Sequence, residues 1–192
     1  MAILEQFLFS GFEPGDYTYG FLHIGSIALM MASIPMLIVY YRKQSESRIR
    51  VHARILAAVT LTLYILRRFI DVIEGRPFME SFWPFYLCNV NTVILSVLLL
   101  FDIRKGRDFF LITGMSGAIL MFVVPEGVFN DRFLTLQILE SLLSHYTIFI
   151  VPILFMATKV HVLEFRRSWQ SLLGFGLVLF NVEVLQQPLT GR

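Results

Sequence analysis

At 192 residues, 56% hydrophobic and only 16% charged, the chain is far more apolar than a soluble domain, in which about 25% of residues are charged, and a water-soluble monomer is excluded. Sixteen Lys and Arg against 14 Asp and Glu leave a net charge of +2, too weak a field to point to nucleic acid. One cysteine, Cys88, excludes an intramolecular disulfide, and no Cys and His cluster has zinc-ligand spacing, so no metal site is expected.

In chain order, residues 1–18 come first, with Ile3, Leu4, Phe7 and Leu8 at helical spacing beside Glu5 and Gln6, the pattern of a short interfacial helix. They lack a basic leader and a small-residue cleavage site, so a removable signal peptide is not expected. Apolar runs near the bilayer-spanning length of about 20 residues follow at 21–41, 52–73, 84–101, 109–125, 133–157 and 169–187. Short polar hinges join them, and none is long enough for a second domain. Residues 1–192 therefore read as one integral membrane domain, an all-α polytopic bundle of six transmembrane helices. Eleven of the sixteen basic residues fall on one side of these spans. The positive-inside rule then places both the N and C termini outside, in a multi-pass protein of the cell membrane.

Polar groups at membrane depth are expensive and face a bundle interior or a cavity. Span one begins with His23. In span three Cys88, Asn91 and Thr92 share one face at i, i+3 and i+4. Span five carries Glu140, Ser141, Ser144 and His145, and span six carries Asn181 and Glu183. Cys88 lies about 6 Å into its helix, and His145 about 9 Å if the embedded part begins near Leu139. On that boundary His23, Cys88, Asn91, Glu140, His145, Asn181 and Glu183 share the outer half of the bundle, as an outward polar pocket would require.

A Cys beside a His is the minimal activated-nucleophile pair, able to attack an ester through a thioester intermediate. Asn91 or Asn181 would orient the His or donate to an oxyanion. The competing readings are a small buried hydrophobe for Cys88 and a helix-bridging hydrogen bond for His145. Arg67 and Arg68 with Asp71 read as a helix-end ion pair at the outer surface. Gly114, Gly117 and Ala118 read as close helix packing, as do Ala28 and Ala32.

The stretch Pro84-Phe85-Tyr86-Leu87-Cys88 resembles the "LPLHLC" segment of the YwaF-type integral membrane proteins, which in animals include transmembrane protein 164. Matches continue in order through His23, Gly114, Gly117, Ala118, Pro125, Ser144-His145, Arg167-Ser168-Trp169 and Asn181. The resemblance implies a helical-bundle membrane fold and a cysteine-dependent acyltransferase that moves a fatty acyl chain between glycerophospholipids, with Cys88 and His145 as the catalytic pair. Tyr86 stands where the family has a His, so a phenol replaces that imidazole. The family commonly continues past span six, whereas this sequence stops at Arg192, which would leave the pocket open to lipid or to an oligomeric partner.

The expected activity is that of a membrane acyltransferase or lipid hydrolase acting on glycerophospholipid acyl esters. Cys88 would be the nucleophile and His145 the general base, with Asn91, Asn181, His23, Tyr86, Glu140 and Glu183 orienting or binding substrate. No cofactor is expected. The partners are membrane lipids, a phospholipid substrate and a second copy of the chain, without nucleic acid. The rival class is a small-molecule binding or transport subunit resembling the substrate-binding subunits of energy-coupling-factor transporters, which six spans and the Ala28/Ala32 pair would also suit.

Overall fold

Side-chain caps open the two longest helices, and tight turns join several of the others. The computed structural model of the chain describes residues 2–9, 13–83, 86–125, 128–162 and 176. Among them it has seven helices and no strand: α1 (Ala2–Leu8), α2 (Phe21–Tyr41), α3 (Glu46–Ile73), α4 (Phe78–Phe82), α5 (Leu87–Leu100), α6 (Arg107–Val123) and α7 (Leu136–Ala157). The Ser45 hydroxyl accepts the Arg48 N–H at 3.4 Å, and Thr135 accepts that of Ile138 at 3.3 Å, so both long helices start on side-chain caps. Gly75 and Gly106 adopt positive φ of 91° and 78° in the turns after α3 and before α6, a conformation that costs glycine nothing.

Within the expected segment 1–18 a helix is present as α1, and α2 has the expected bounds. α3 starts six residues before its apolar run because the Ser45 cap recruits the charged turn 46–51 into the helix. The run expected at 169–187 lies outside the described residues. Among the described residues two helices, α2 and α7, are long and apolar enough to cross a membrane. α3 has 28 residues, but only positions 55–66, between Arg54 and Arg67, are free of charge, about 18 Å at 1.5 Å per residue. The 14 residues of α5 and 17 of α6 rise about 21 and 26 Å, short of a hydrocarbon layer about 30 Å thick.

α3, α5, α6 and α7 form a four-sided bundle. α3 and α6 each pack against both α5 and α7, and α5 also meets α7 across the middle. α2 lies against the outside of α7, α4 against α3, and α1 touches α7. Side-chain pairs fix the directions. Thr60 meets Thr147 at 2.7 Å and Arg68 meets Glu140 at 3.4 Å, so α3 and α7 are antiparallel. Thr113 meets Asn91 at 2.9 Å, with Gly117 beside Cys88, so α5 and α6 are antiparallel too. The end where α2, α5 and α7 begin is called the head end, and the opposite one the tail end.

The interior changes character along its length. Toward the tail it is filled by Ala53, Ala57, Leu95, Leu99, Leu111, Val151 and Phe155. Toward the head polar side chains join the buried set, with Thr60, Tyr64, Arg67, Asp71, Asn91, Thr92, Ser144, His145 and Thr147 beside the apolar Ile70, Met121, Phe122, Leu136 and Ile138. The buried positions of α3, namely Ile49, Ala53, Ala57, Thr60, Tyr64, Arg67, Ile70 and Asp71, keep the three- and four-residue spacing of one helix face across that change. α2 buries only His23 and Met30 and presents Phe21, Leu29, Met36 and Val39 outward, an apolar surface that water disfavours. Ala28 and Ala32 are on this exposed side, so among the described residues nothing packs on them as expected.

At the tail end the α5–α6 turn is tied by one carboxylate. Asp102 accepts from Arg107 at 2.9 Å and pairs with Arg50 at 3.1 Å and Arg54 at 3.7 Å. Its hydrogen bond from Arg107, helped by the charges of Arg50 and Arg54, outweighs partial desolvation and holds the carboxyl below its usual value.

Candidate functional site

Two glycines on α6 decide how close α5 and α7 approach it. A Cβ on Gly114 would sit 3.2 Å from Ile148 Cβ, 3.3 Å from the Ile148 carbonyl oxygen and 3.8 Å from Asn91 Cγ. A Cβ on Gly117 would sit 3.2 Å from Cys88 Sγ. The small residues thus admit neighbouring groups to near-contact with the α6 backbone, as their spacing suggested. Asn91, Gly114 and Ile148 form one layer of the bundle. One helical turn toward the head end, the same registers bring Cys88, Gly117 and the Ser144–His145 pair to a common level.

Cys88 is the second residue of α5 and half-buried. His145 is buried on α7, and its Nδ1 lies 2.7 Å from the Ser141 carbonyl oxygen. A carbonyl only accepts, so Nδ1 carries the hydrogen and Nε2 holds the lone pair; the tautomer is assigned from this bond. The Ser141 hydroxyl is 3.4 Å from the same nitrogen, and both hydrogen bonds described for the ring run through Nδ1. Among the described residues the imidazole is therefore held through Nδ1, and the lone pair of Nε2 is the ring's proton acceptor.

The other residues selected from sequence divide by what they touch. The Asn91 side-chain amide donates to the Leu87 carbonyl at 2.9 Å and its Oδ1 accepts from Thr113 at 2.9 Å, so it ties α5 to α6 within the polar interior. Fully buried His23 donates from Nε2 to the Phe122 carbonyl at 3.0 Å and accepts the Tyr19 N–H on Nδ1 at 3.0 Å. It stacks on Phe129, with centroids 4.7 Å apart, and joins α2 to the end of α6. Tyr86 precedes α5 and is 62% exposed. Asn181 and Glu183 lie outside the described residues.

Glu140 accepts the Ser144 hydroxyl at 2.8 Å and pairs with Arg68 at 3.4 Å. It thereby enters a charge cluster whose extent the sequence did not suggest. Arg67 and Asp71 do pair, at 2.9 Å, but both are 1% exposed and not at the outer surface. Arg68 and Arg76 approach the same carboxylate at 3.3 and 3.4 Å. Gln137 receives Arg67 at 3.2 Å. The burial comes from α7, which covers this end of α3 with Gln137 and Glu140.

Among the described residues no group of three His, Cys, Asp or Glu is placed to hold a metal ion. A cavity of about 430 Å³ lies at the tail end by Tyr41, Glu46 and Thr158, and one of about 460 Å³ at the head end by Phe21, Arg132 and Phe133; Cys88 and His145 line neither. The model of the TMEM164 family, a transmembrane protein family, matches residues 18–191. That span is most of the chain, and the chain belongs to this family. No curated protein and no solved structure matches it.

Proposed function

We propose that this member of the TMEM164 family is a membrane-embedded acyltransferase or lipid hydrolase acting on glycerophospholipid acyl esters, with Cys88 as nucleophile and His145 as general base. The observation that carries the reading is the layer shared by Cys88, Gly117 and His145. In it the Cys88 sulfur lies against the side-chain-free Gly117 of α6, and among the described residues the imidazole is hydrogen-bonded through Nδ1. The reading includes six spans in one domain of the cell membrane, both termini outside, and a lipid substrate that arrives sideways from the outer leaflet at the head end.

In the first step His145 Nε2 takes the Cys88 S–H proton, the sulfur attacks the ester carbonyl, and a tetrahedral oxyanion forms. Its collapse breaks the carbon–oxygen bond to glycerol. The proton on Nε2 passes to that oxygen, releasing a lysophospholipid and leaving an acyl thioester on Cys88. In the second step Nε2 removes the proton of an acceptor hydroxyl, whose oxygen attacks the thioester carbonyl; the carbon–sulfur bond breaks, and the sulfur takes the proton back from Nε2 to restore the thiol. A lysophospholipid acceptor makes the protein a transferase and water makes it a hydrolase.

Purified protein incubated with a phospholipid labelled in its acyl chain is expected to accumulate hydroxylamine-sensitive label on Cys88 and to move label to an added lysophospholipid. Undiminished acyl turnover by Cys88→Ala would remove the nucleophile from the reading.

A further inference from the structure

Among the described residues, three buried groups on one face of α3 have no hydrogen-bond partner: the Tyr64 hydroxyl, Arg68 Nε and Asp71 Oδ1. Asp71 Oδ1 lies within ion-pair range of Arg67 and Arg76, yet no hydrogen bond of proper geometry reaches it. Buried polar groups are nearly always satisfied, so orphans at i, i+4 and i+7 of a single helix call for an explanation.

Their levels are set by neighbouring pairs. Between the Thr60–Thr147 and Arg68–Glu140 contacts, Tyr64 falls beside Ser144 and His145, in the layer of Cys88. Arg68 is then about 6 Å, and Asp71 about 10.5 Å, further toward the head end. Read from the Cys88 layer outward, the face offers a hydroxyl donor, a guanidinium donor and a carboxylate. The ester carbonyl, phosphate and ammonium of a zwitterionic glycerophospholipid have the complementary chemistry, in the same order and at similar separation. The surrounding charges balance, with Arg67, Arg68 and Arg76 against Asp71, Glu74 and Glu140. A zwitterion preserves that balance in a buried place, whereas a purely anionic lipid leaves a net charge there.

We propose that this face of α3 binds the polar part of a zwitterionic glycerophospholipid. Tyr64 donates to the ester carbonyl, Arg68 donates to the phosphate, and Asp71 receives the ammonium in place of the half-exposed Arg76. Once the carbonyl becomes an oxyanion, the Tyr64 hydroxyl is a donor already in position, a role the Asn91 amide, engaged with Leu87 and Thr113, fills less readily. The assignment builds on the acyl-ester reading above, but binding precedes chemistry and is measured without turnover.

The test is the affinity of the purified full chain, as wild type and as Cys88→Ala, for soluble dihexanoyl lipids. The lipids are an ammonium-bearing phospholipid, its dialkyl analogue without carbonyls and a glycerol-headgroup phospholipid, with inorganic phosphate alongside. The diester zwitterion is expected to bind tightest. Tyr64→Phe is expected to weaken it roughly three- to tenfold and to leave the dialkyl analogue unchanged. Asp71→Asn is expected to erase the preference for the ammonium headgroup, and Arg68→Gln to weaken every lipid. Tyr64→Phe removes a hydroxyl with no partner, so it keeps the test decisive even where the Asp71 variant fails to fold. Equal affinity of wild type and Tyr64→Phe for the diester, an ammonium preference surviving in Asp71→Asn, or phosphate binding as tight as lipid would each overturn the assignment. Binding by Cys88→Ala without acyl turnover in the wild type would leave it standing and sink only the catalytic pair.

Discussion

The Nδ1–H of His145 is donated to the backbone carbonyl of Ser141 at 2.7 Å, so the main chain sets the tautomer of this imidazole. The Ser141 hydroxyl, at 3.4 Å, contributes little at that distance. Ser141→Ala is therefore expected to leave acyl turnover within a few-fold of wild type, since the carbonyl remains. His145→Gln keeps a polar side chain in place but removes the proton acceptor, and turnover is expected to fall about 10²- to 10⁴-fold. Initial rates of label transfer for the two variants decide the matter; equal losses would mean that the hydroxyl, not the carbonyl, orients the ring.

The two glycines of α6 are expected to respond differently to alanine. In a helix the exchange gains about 1 kcal/mol of propensity. At Gly114 the new methyl meets the branched carbon and the carbonyl of Ile148, neither of which yields easily. Overpacking at about 1–3 kcal/mol then cancels or exceeds the gain, and Gly114→Ala should unfold at lower denaturant. At Gly117 the neighbour is the Cys88 sulfur, which can rotate away. Gly117→Ala should keep or raise stability while slowing alkylation of Cys88 by a bulky maleimide. An unchanged alkylation rate would show that α6 does not control access to the sulfur.

Asp102 gives the fold a calculable acid sensitivity. Its carboxyl is held below the ordinary value of 3.8, first by the Arg107 hydrogen bond. A depressed carboxyl binds protons more readily in the unfolded chain. Its contribution is thus complete above about pH 4 and lost as pH falls through the lowered folded-state value. The stability gap between wild type and Asp102→Asn is expected to be constant above that pH and to close below it. A gap that widens toward acid would contradict this.

The Arg67–Asp71 pair, 1% exposed on both sides, should behave as a buried charge and not as a surface one. Arg67→Met alone leaves Asp71 inside with only its more distant partners, at an expected cost of about 3–5 kcal/mol. Arg67→Met with Asp71→Leu removes both charges, and equilibrium unfolding should show most of that loss recovered. Single and double variants of equal stability would mean that the pair is more exposed than described.

How much of this was readable depended on how far apart the deciding residues lie. The apolar run from Phe21 to Tyr41, closed by Arg42 and Lys43, delimits α2 by itself. The start of α3 was harder, because the deciding cap, Ser45, precedes a charged turn that hydropathy discounts. Arg67 and Asp71 pair at a spacing legible in any helix, but their burial depends on Gln137 and Glu140 of α7. Tyr64 gave no signal at all: a tyrosine inside an apolar run looks like core until its hydroxyl is found without a partner. His23, read as a pocket group, is satisfied by a carbonyl 99 residues away, a contact no local pattern encodes.

α7 is apolar enough to enter a bilayer unaided, yet 67% of its apolar window is covered by protein, against 11% for α2. It touches α1, α2, α3, α5 and α6, and it is the last of the described helices to leave the ribosome. Until then the four-sided bundle lacks one side, and Arg67, Asp71 and Asn91 face an incomplete interior. Assembly of the bundle thus waits on its final described helix, and the interval before α7 arrives is when the nascent chain most needs a membrane insertase or chaperone to shelter those polar faces.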